Sequence, residues 1–386
     1  MPEVYLSHPR RSAIGCLGGG FADCPAPDIA ASVVQSVIAD SGVGVENLDE
    51  VLIGNVIGAG LGQNVARQAA VKAGIPVSVP ATTFNKVCGS GLRTVISAAR
   101  SIRCGDASTV LAGGTENMTR APYLVEPAKE GRRGPGEGEP VDSMMRDGLL
   151  DAYDGTHMGR CGDRCARRIE ASREEQDDYA VQSYERALEA QAQGRFTAEI
   201  VPIRASNGTI DTDEEPDRFD KSKLRSLGPA FGEGGTVTAG NASSVNDGAA
   251  AVLVTSLRPD GDGPRARLVA QVSVAREPEW FTLAPVDAIR SLIDRIDWSI
   301  EDIDLFEINE AFSCVPMAAI RELGLDRDRV NVHGGAVALG HPIGASGTRI
   351  LVTLLHALES RQQRRGVAAI CIGGGESIAV GVERLS

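Results

Sequence analysis

Cys88 is the strongest candidate nucleophile in the sequence. It lies in the motif Asn-Lys-Val-Cys-Gly-Ser-Gly (85–91), after an extended run and before an amphipathic helical pattern. A helix N-terminus favours a thiolate, so we expect this position to lower the pKa of the thiol. Glycines at 89 and 91 leave room for a ligand to approach. The alternative is a small buried hydrophobic residue, which is the usual role of a free cysteine.

His341 is the candidate base for such a nucleophile. It lies in the motif Gly-His-Pro-Ile-Gly (340–344), which is a second turn before a helical pattern, and it is one of five histidines in the chain. A thiol nucleophile needs a base within hydrogen-bond reach, and imidazole is the usual choice. The alternative is a histidine whose hydrogen bonds are satisfied within its own turn.

Two predicted strands end in further polar groups. Cys371 ends an apolar run and precedes three glycines, so its thiol is suited to exchange protons with a carbon acid, although a cysteine in an apolar strand usually belongs to the core. Asn309 opens the motif Asn-Glu-Ala-Phe (309–312) after another apolar run. The carboxyl ends of strands are where open α/β sheets bind ligands. The alternative for Asn309 is a helix cap.

Two other motifs predict no site. The glycines at 58, 60 and 62 do not form Gly-x-Gly-x-x-Gly, and no acidic residue follows at the spacing of a dinucleotide site. Cys161 and Cys165 form a single pair without a partner pair, which is a poor basis for a zinc site.

The composition indicates a soluble globular protein of two to three domains. The chain has 386 residues, of which 42% are hydrophobic and 24% charged, and its net charge is -13. A negative charge of this size argues against nucleic acid or an anionic membrane as the main partner. No apolar run has the length of a membrane span, and no secretory signal is visible. We therefore expect a cytoplasmic protein whose eight cysteines are mostly reduced.

Hydrophobic periodicity predicts strands and helices that alternate along both ends of the chain. The predicted helices cover 29–39, 91–102, 173–193 and 348–358, and the predicted strands cover 50–56, 109–114, 302–309 and 367–372. The second set repeats the first, since each contains a strand, a turn, a helix and a strand that ends in glycines. The pattern predicts a duplicated α/β fold. Polar, glycine- and proline-rich stretches at 126–142 and 205–235 indicate that residues 116–243 are an insertion outside the sheet.

Taken in order, the motifs resemble those of the thiolase family. Besides the segments named above, the matches are Gly-Gly-x-Glu-x-Met (113–118), His-Met-Gly (157–159), Ser-Arg-Glu-Glu-Gln-Asp (172–177), Gly-Thr-Val-Thr-Ala-Gly-Asn-Ala-Ser (235–243) and Cys-Ile-Gly-Gly-Gly (371–375). Each motif is modest alone, but the ordered set spans nearly the whole chain and is highly specific.

The resemblance implies the thiolase fold, in which duplicated βαβαβαββ halves form five layers, αβαβα, with an inserted loop domain. The halves would be 1–115 plus 244–262 and 263–386, with 116–243 as the loop domain. The implied activity is that of an acyl-CoA C-acyltransferase. Such an enzyme condenses two acetyl-CoA molecules to acetoacetyl-CoA and CoA, or cleaves the product thiolytically.

The resemblance also implies roles for individual residues. Cys88 would carry the acyl group, His341 would take its proton, and Cys371 would exchange a proton with the acetyl methyl group. The N–H groups of Cys88 and Gly373 would form one oxyanion hole. His341 and a water held by Asn309 would form the other.

Coenzyme A enters this scheme as a substrate, with no separate cofactor, no metal and no nucleic-acid or membrane partner. Relatives assemble as homodimers or homotetramers, so we expect an oligomer. By resemblance, the coenzyme A and acyl contacts would come from six residues, Arg218, Lys223, Ser243, His157, Met158 and Phe312.

Three other functions remain open. They are a degradative 3-oxoacyl-CoA thiolase of broader chain length, a related condensing enzyme and a non-catalytic acyl-CoA binding protein. The sequence departs from common thiolase patterns at 161–164, at Ser244 and at 280–285. These departures leave the acyl-chain specificity open.

Overall fold

The computed structural model describes residues 2–125 and 139–386, so most of the polar loop predicted at 126–142 lies outside the described residues. The strands are β1 (Tyr5–Ser12), β2 (Gly15–Cys16), β3 (Glu50–Gly54), β4 (Ala81–Phe84), β5 (Thr109–Asn117), β6 (Tyr123–Leu124), β7 (Val141–Asp142), β8 (Ile200–Val201), β9 (Ile203–Ala205), β10 (Gly208–Ile210), β11 (Asn246–Thr255), β12 (Arg265–Ala275), β13 (Leu305–Ile308), β14 (Arg365–Ile372) and β15 (Glu376–Arg384). The helices are α1 (Ala26–Ser41), α2 (Val65–Lys72), α3 (Ser90–Cys104), α4 (Met158–Arg168), α5 (Arg173–Ala192), α6 (Lys221–Ser226), α7 (Ala284–Ile293), α8 (Cys314–Leu323), α9 (Ala336–Leu339) and α10 (Ile343–Ser360).

The main sheet contains two similar halves. Its strand order is β13-β14-β15-β12-β1-β11-β5-β3-β4, and β1 joins the halves by pairing with both β11 and β12. In the first half β3 lies parallel to β5 and β4. In the second half β13 lies parallel to β14, and a parallel bridge between Phe306 and Val330 takes the outer position that β4 has in the first half. This repeat confirms the predicted duplication.

Five layers follow from three hydrophobic clusters. The central cluster holds α3 and α10 between the two halves of the sheet. One outer cluster packs α1 and α2 on the first half, and the other packs α7 and α8 on the second. This is the αβαβα arrangement that the resemblance implies. No helix within 2–125 or 139–386 has both the length and the apolar composition required to cross a bilayer.

Helices α3 and α10 approach each other closely because both have glycine at the contact. A Cβ atom at Gly347 would lie 2.5 Å from the backbone nitrogen of Leu92, and one at Gly91 would lie 2.9 Å from that of Thr348. Real side chains do not tolerate such distances. The small residues therefore bring together the N-termini of two helices, and these are the ends that carry the candidate nucleophile and base.

Most of the predicted helices and strands are present in the structure, but some of them begin or end at other residues than predicted. Helix α10 begins at Ile343, earlier than the predicted 348, because Pro342 starts the helix while the glycines after it hide the periodic pattern. Strand β13 is shorter than predicted. Helix α5 has the expected capping box, in which Ser172 and Glu175 bond each other's backbone N–H groups.

Candidate active site

An apolar cavity of about 190 Å³ lies where the N-termini of α3 and α10 meet the loop after β14. Cys88, His341 and Gly373 all line it. The motifs that carry these three residues are far apart in the sequence. The structure therefore brings the predicted nucleophile, base and glycine turn to one site.

Cys88 is held in a strained turn at the start of α3. The preceding residue, Val87, has a φ of 46°, which is unusual for a β-branched side chain, and Asn85 accepts a hydrogen bond from the Val87 N–H. Strain of this kind is common where a reactive group must be presented. The turn places the thiol on the wall of the cavity beside the Gly373 N–H.

The expected low pKa of Cys88 is wrong. Burial raises the pKa of the thiol to about 11, although the N–H groups of Gly373 and of Cys88 itself act in the opposite direction. The desolvation cost of a thiolate in an apolar cavity exceeds the stabilisation by the helix N-terminus. The resting nucleophile is therefore a neutral thiol that needs a base.

The hydrogen bonds of His341 define its tautomer. Ser346 Oγ donates to the Pro342 carbonyl at 2.8 Å and also lies 2.5 Å from His341 Nδ1. A hydroxyl has one proton, so Ser346 must accept from Nδ1–H. This assignment leaves Nε2 unprotonated, and Nε2 is buried without a hydrogen-bond partner in the protein.

The imidazole of His341 is neutral at rest. Burial, and to a smaller extent the charge of Arg349, lowers its pKa to about 3. The backbone N–H of His341 donates to Asn246 Oδ1 at 2.9 Å, which fixes the turn. A neutral imidazole with a free Nε2, facing the same cavity as a neutral thiol, is suited to remove the thiol proton during attack.

Cys371 is completely buried at the end of β14. Burial raises its pKa well above the ordinary value, and the neighbouring Cys88 raises it further. The Cys371 thiol therefore lies within electrostatic range of Cys88, although Cys371 itself does not line the cavity. A thiolate that is hard to form is a strong base once formed, as removal of a proton from carbon requires.

Asn309 is positioned by the chain that flanks it. Asn331 bonds both backbone groups of Ile308 at 2.8 Å, and Glu310 accepts hydrogen bonds from Tyr179, Ser183 and the Val337 N–H. Both polar atoms of the Asn309 amide are nevertheless buried without a protein partner. The amide is therefore free to bind a small polar molecule such as water.

Four of the six residues expected to bind coenzyme A line the cavity. They are His157, Met158, Ser243 and Phe312. The ring of His157 stacks on Phe231 at 4.6 Å, and Phe231 contacts Phe312 edge-on. Ser243 donates to the Ala311 carbonyl and so fixes the backbone beside Phe312. These groups form an apolar wall that matches a pantetheine arm better than a charged ligand.

Arg218 and Lys223 do not line this cavity. Both are exposed in the insertion, Lys223 on α6 and Arg218 just before it. Arg218 lies 3.4 Å from Glu215, so its charge is partly balanced. Two neighbouring basic side chains are also paired, since Lys221 bonds Glu185 and Arg225 bonds Asp178.

Cys161 and Cys165 pack in the core cluster beneath α8. Within the part of the chain that the structure describes, no three His, Cys, Asp or Glu side chains are grouped as metal ligands. All eight cysteines have free thiols.

Three residues that hold the site in place were not predicted. Glu116 accepts from the N–H groups of Val56, Ile57 and Gly344, and so ties the loop after β3 to the start of α10. Glu116 lies in the Gly-Gly-x-Glu-x-Met motif, which by itself indicates no role for the carboxylate. Ser346 lies two residues beyond the Gly-His-Pro-Ile-Gly motif. Asn246 had no sequence signal, because its role depends on a contact with a turn almost a hundred residues away.

Comparison with known proteins shows which family the chain resembles. Residues 4–258 match the family model of the thiolase N-terminal domain, and residues 263–384 match that of the thiolase C-terminal domain. The chain is 46% identical to an acetyl-CoA acetyltransferase of Pseudomonas aeruginosa and 45% identical to a probable acetyl-CoA acetyltransferase of Escherichia coli, with 100% of each chain covered in both cases. A thiolase from Ascaris suum, crystallised in complex with coenzyme A, is 40% identical and superposes with a TM-score of 0.93 over 99% of this chain and 100% of that chain. The chain therefore belongs to the thiolase family.

Proposed function

We propose that this protein is an acetyl-CoA C-acetyltransferase. It condenses two acetyl-CoA molecules to acetoacetyl-CoA and CoA, or runs the reverse thiolytic cleavage, through an acyl group on Cys88. The observation that carries this proposal is the meeting of Cys88, His341 and Gly373 at one apolar cavity, with the buried Cys371 thiol within electrostatic range of Cys88.

In the first half-reaction Cys88 Sγ attacks the carbonyl carbon of acetyl-CoA while His341 Nε2 takes the thiol proton. The bond from carbon to the CoA sulfur then breaks, and His341 returns the proton to the departing CoA. The Gly373 N–H, already directed at the Cys88 sulfur, is placed to stabilise the oxyanion. An oxyanion donor of this kind contributes about 3 kcal/mol to lowering a barrier.

In the second half-reaction His341 first takes the proton of the Cys371 thiol, and the Cys371 thiolate then removes a proton from the methyl group of a second acetyl-CoA. The resulting carbanion attacks the acyl carbon on Cys88, a carbon–carbon bond forms, and the Cys88 sulfur leaves and takes the proton that His341 holds. Asn309 and His341 act together on the thioester oxygen of this second substrate. One thioester replaces another in the first step, so the same groups serve both directions.

Coenzyme A binds with its pantetheine arm along the wall formed by His157, Met158, Ser243 and Phe312. Arg218 and Lys223 in the insertion contact the phosphate-bearing end. Assembly as a homodimer or homotetramer is part of the same proposal, and sedimentation of the purified chain tests it.

Thiolysis of acetoacetyl-CoA by the purified protein tests the proposal. The wild type turns over, and Cys88→Ala removes turnover and the acetyl adduct on the protein. Cys371→Ala still acquires an acetyl group on Cys88 from acetyl-CoA but does not condense it. Binding of acetyl-CoA without any adduct or turnover would instead identify a non-catalytic binding protein.

A degradative thiolase of broader chain length is the second candidate. A cavity of about 430 Å³ adjoins the first and shares Val87, Gly148, Met158 and Gly373 with it. A shift of the flexible Met158 side chain would join the two spaces and admit a longer acyl group. Thiolysis rates for C4, C8 and C10 substrates separate the candidates, because the primary proposal requires C4 to be cleaved fastest.

A further inference from the structure

Glu307 and Arg349 form a buried ion pair between strand β13 and helix α10. Each side chain is only 2% exposed, and Arg349 Nη1 lies 3.8 Å from Glu307 Oε2. That distance is too long for a hydrogen bond. The two charges attract each other, but they do not satisfy each other's hydrogen-bonding groups.

The remaining polar atoms of the pair have no protein partner. Glu307 Oε1 and all three guanidinium nitrogens of Arg349 are buried and unpaired. Buried groups in this state are rare and costly, and ordered water is what usually completes their hydrogen bonds. Four unpaired atoms at one place therefore indicate a hydrated site.

This site lies on the same face of the sheet as the candidate oxyanion hole. Side chains alternate along a strand, and Phe306 and Ile308 belong to the cluster around α7 and α8. Glu307 and Asn309 consequently both face the α10 side, where Leu305 packs. The two amide atoms of Asn309 and Nε2 of His341 are also buried and unpaired.

Electrostatics favours hydration of the pair. Burial raises the pKa of Glu307 to about 8 and lowers that of Arg349, so a dry pocket disfavours both charged forms. Water at the unpaired atoms opposes both shifts. Glu310 and Glu199 add negative potential at Arg349, and Arg11 adds positive potential.

We propose that Glu307 and Arg349 are positioning residues that hold a small cluster of ordered water molecules beneath Asn309 and balance the charge that forms on His341 during acyl transfer. The imidazolium that forms when His341 takes a proton lies within the field of Arg349, and Glu307 offsets that repulsion. The kinetic part rests on the proposed function, whereas the hydration part does not.

A high-resolution crystal structure of the wild type tests the hydration. We expect ordered waters within hydrogen-bond distance of Arg349 and Glu307 Oε1, with one shared with Asn309. A dry, direct bidentate contact between the two side chains would overturn this part. This test does not depend on the proposed function, because the waters or the direct contact would be visible in the crystal structure even if the protein had no thiolase activity.

Kinetics tests the charge balance. Glu307→Gln lowers the rate of acetyl transfer to Cys88 roughly tenfold to a hundredfold and changes KM for acetyl-CoA by less than about twofold. The double variant Glu307→Gln/Arg349→Met recovers much of that loss, because it removes both charges together. Thr353→Val is the matched control, since it removes another buried polar group of α10, one turn further on, that bonds Glu199.

An unchanged rate of acetyl transfer in Glu307→Gln would refute the charge balance. A double variant that is slower than Glu307→Gln, because the losses of the two single substitutions add, would refute it as well. If Glu307→Gln does not fold, Arg349→Lys tests the water-holding role instead. Lysine keeps the charge but loses the planar donor group, so kcat falls while KM is retained. A kcat equal to the wild type in folded Arg349→Lys would also refute the role.

Discussion

Ser346 determines which nitrogen of His341 acts as the base. Its hydroxyl donates to the Pro342 carbonyl and so accepts from Nδ1–H, which leaves Nε2 as the free lone pair at the cavity. The arrangement is local, since Pro342 and Ser346 lie in the first turn of the same helix. A single hydroxyl thereby controls the chemistry of the candidate base.

Ser346→Ala removes this control and lowers kcat for thiolysis roughly tenfold to a thousandfold, because the imidazole can then adopt the other tautomer or rotate. KM for the acyl-CoA changes little. Steady-state kinetics measures both quantities. Ser360→Ala is the control, because its hydroxyl also bonds a carbonyl of α10, at the opposite end. Equal effects of the two substitutions would show that Ser346 has no special role.

Alkylation of Cys88 by iodoacetamide depends steeply on pH. The thiol pKa of about 11 means that the thiolate fraction rises roughly tenfold with each pH unit between pH 7 and 10. Peptide mass analysis over this range measures the rate at Cys88, with Cys88→Ala as the assignment control. A plateau below pH 9 would show that the thiolate is more stable than its buried position indicates.

His333 makes the protein less stable in acid. It is buried against the edge of Phe196, and burial lowers its pKa to about 4. The unfolded chain binds this proton near the ordinary pKa of 6.5, so the free energy of unfolding falls as the pH drops from about 6.5 to 4. One such group contributes a slope of about 1.4 kcal/mol per pH unit.

Replacement of His333 by Asn removes that slope. Urea unfolding at pH 8, 6 and 4.5 measures the free energy of unfolding, and the comparison at pH 8 corrects for the change in packing. The difference in the free energy of unfolding between the wild type and the variant narrows as the pH falls. If this difference in the free energy of unfolding were the same at all three pH values, His333 would be protonated equally in the folded and the unfolded state.

Gly347→Ala is strongly destabilising, because its methyl group would lie 2.5 Å from the Leu92 backbone nitrogen. We expect a loss of about 1–3 kcal/mol in the free energy of unfolding, together with loss of activity as α3 and α10 move apart. Gly228→Ala is the control, since nothing lies within 4 Å of its Cβ position. Calorimetry measures both variants, and an equal Tm would contradict the close contact.

The sequence was sufficient to predict the elements that present Cys88 and His341. Each residue lies in a turn before an amphipathic helix, and both turns and helices leave clear local patterns. The duplication was also visible, because strands β3 and β13 and helices α3 and α10 repeat at corresponding places. These features depend on neighbouring residues, which a sequence shows directly.

The properties that the sequence missed arise from distant contacts. The pKa of Cys88 depends on desolvation by both halves, which outweighs the helix N-terminus that the local pattern reveals. Asn246 bonds the backbone of the His341 turn, which lies almost a hundred residues further along the chain. No local spacing encodes any of these relationships.

The glycine contact between α3 and α10 has a consequence for biosynthesis. Cys88 is translated well before His341, so a nascent chain cannot assemble the reactive pair before α10 has been made and docks. Contacts so distant in sequence form slowly. Partly made or partly folded chains therefore contain the Cys88 thiol without its imidazole partner, and the pair forms only when α10 packs against α3.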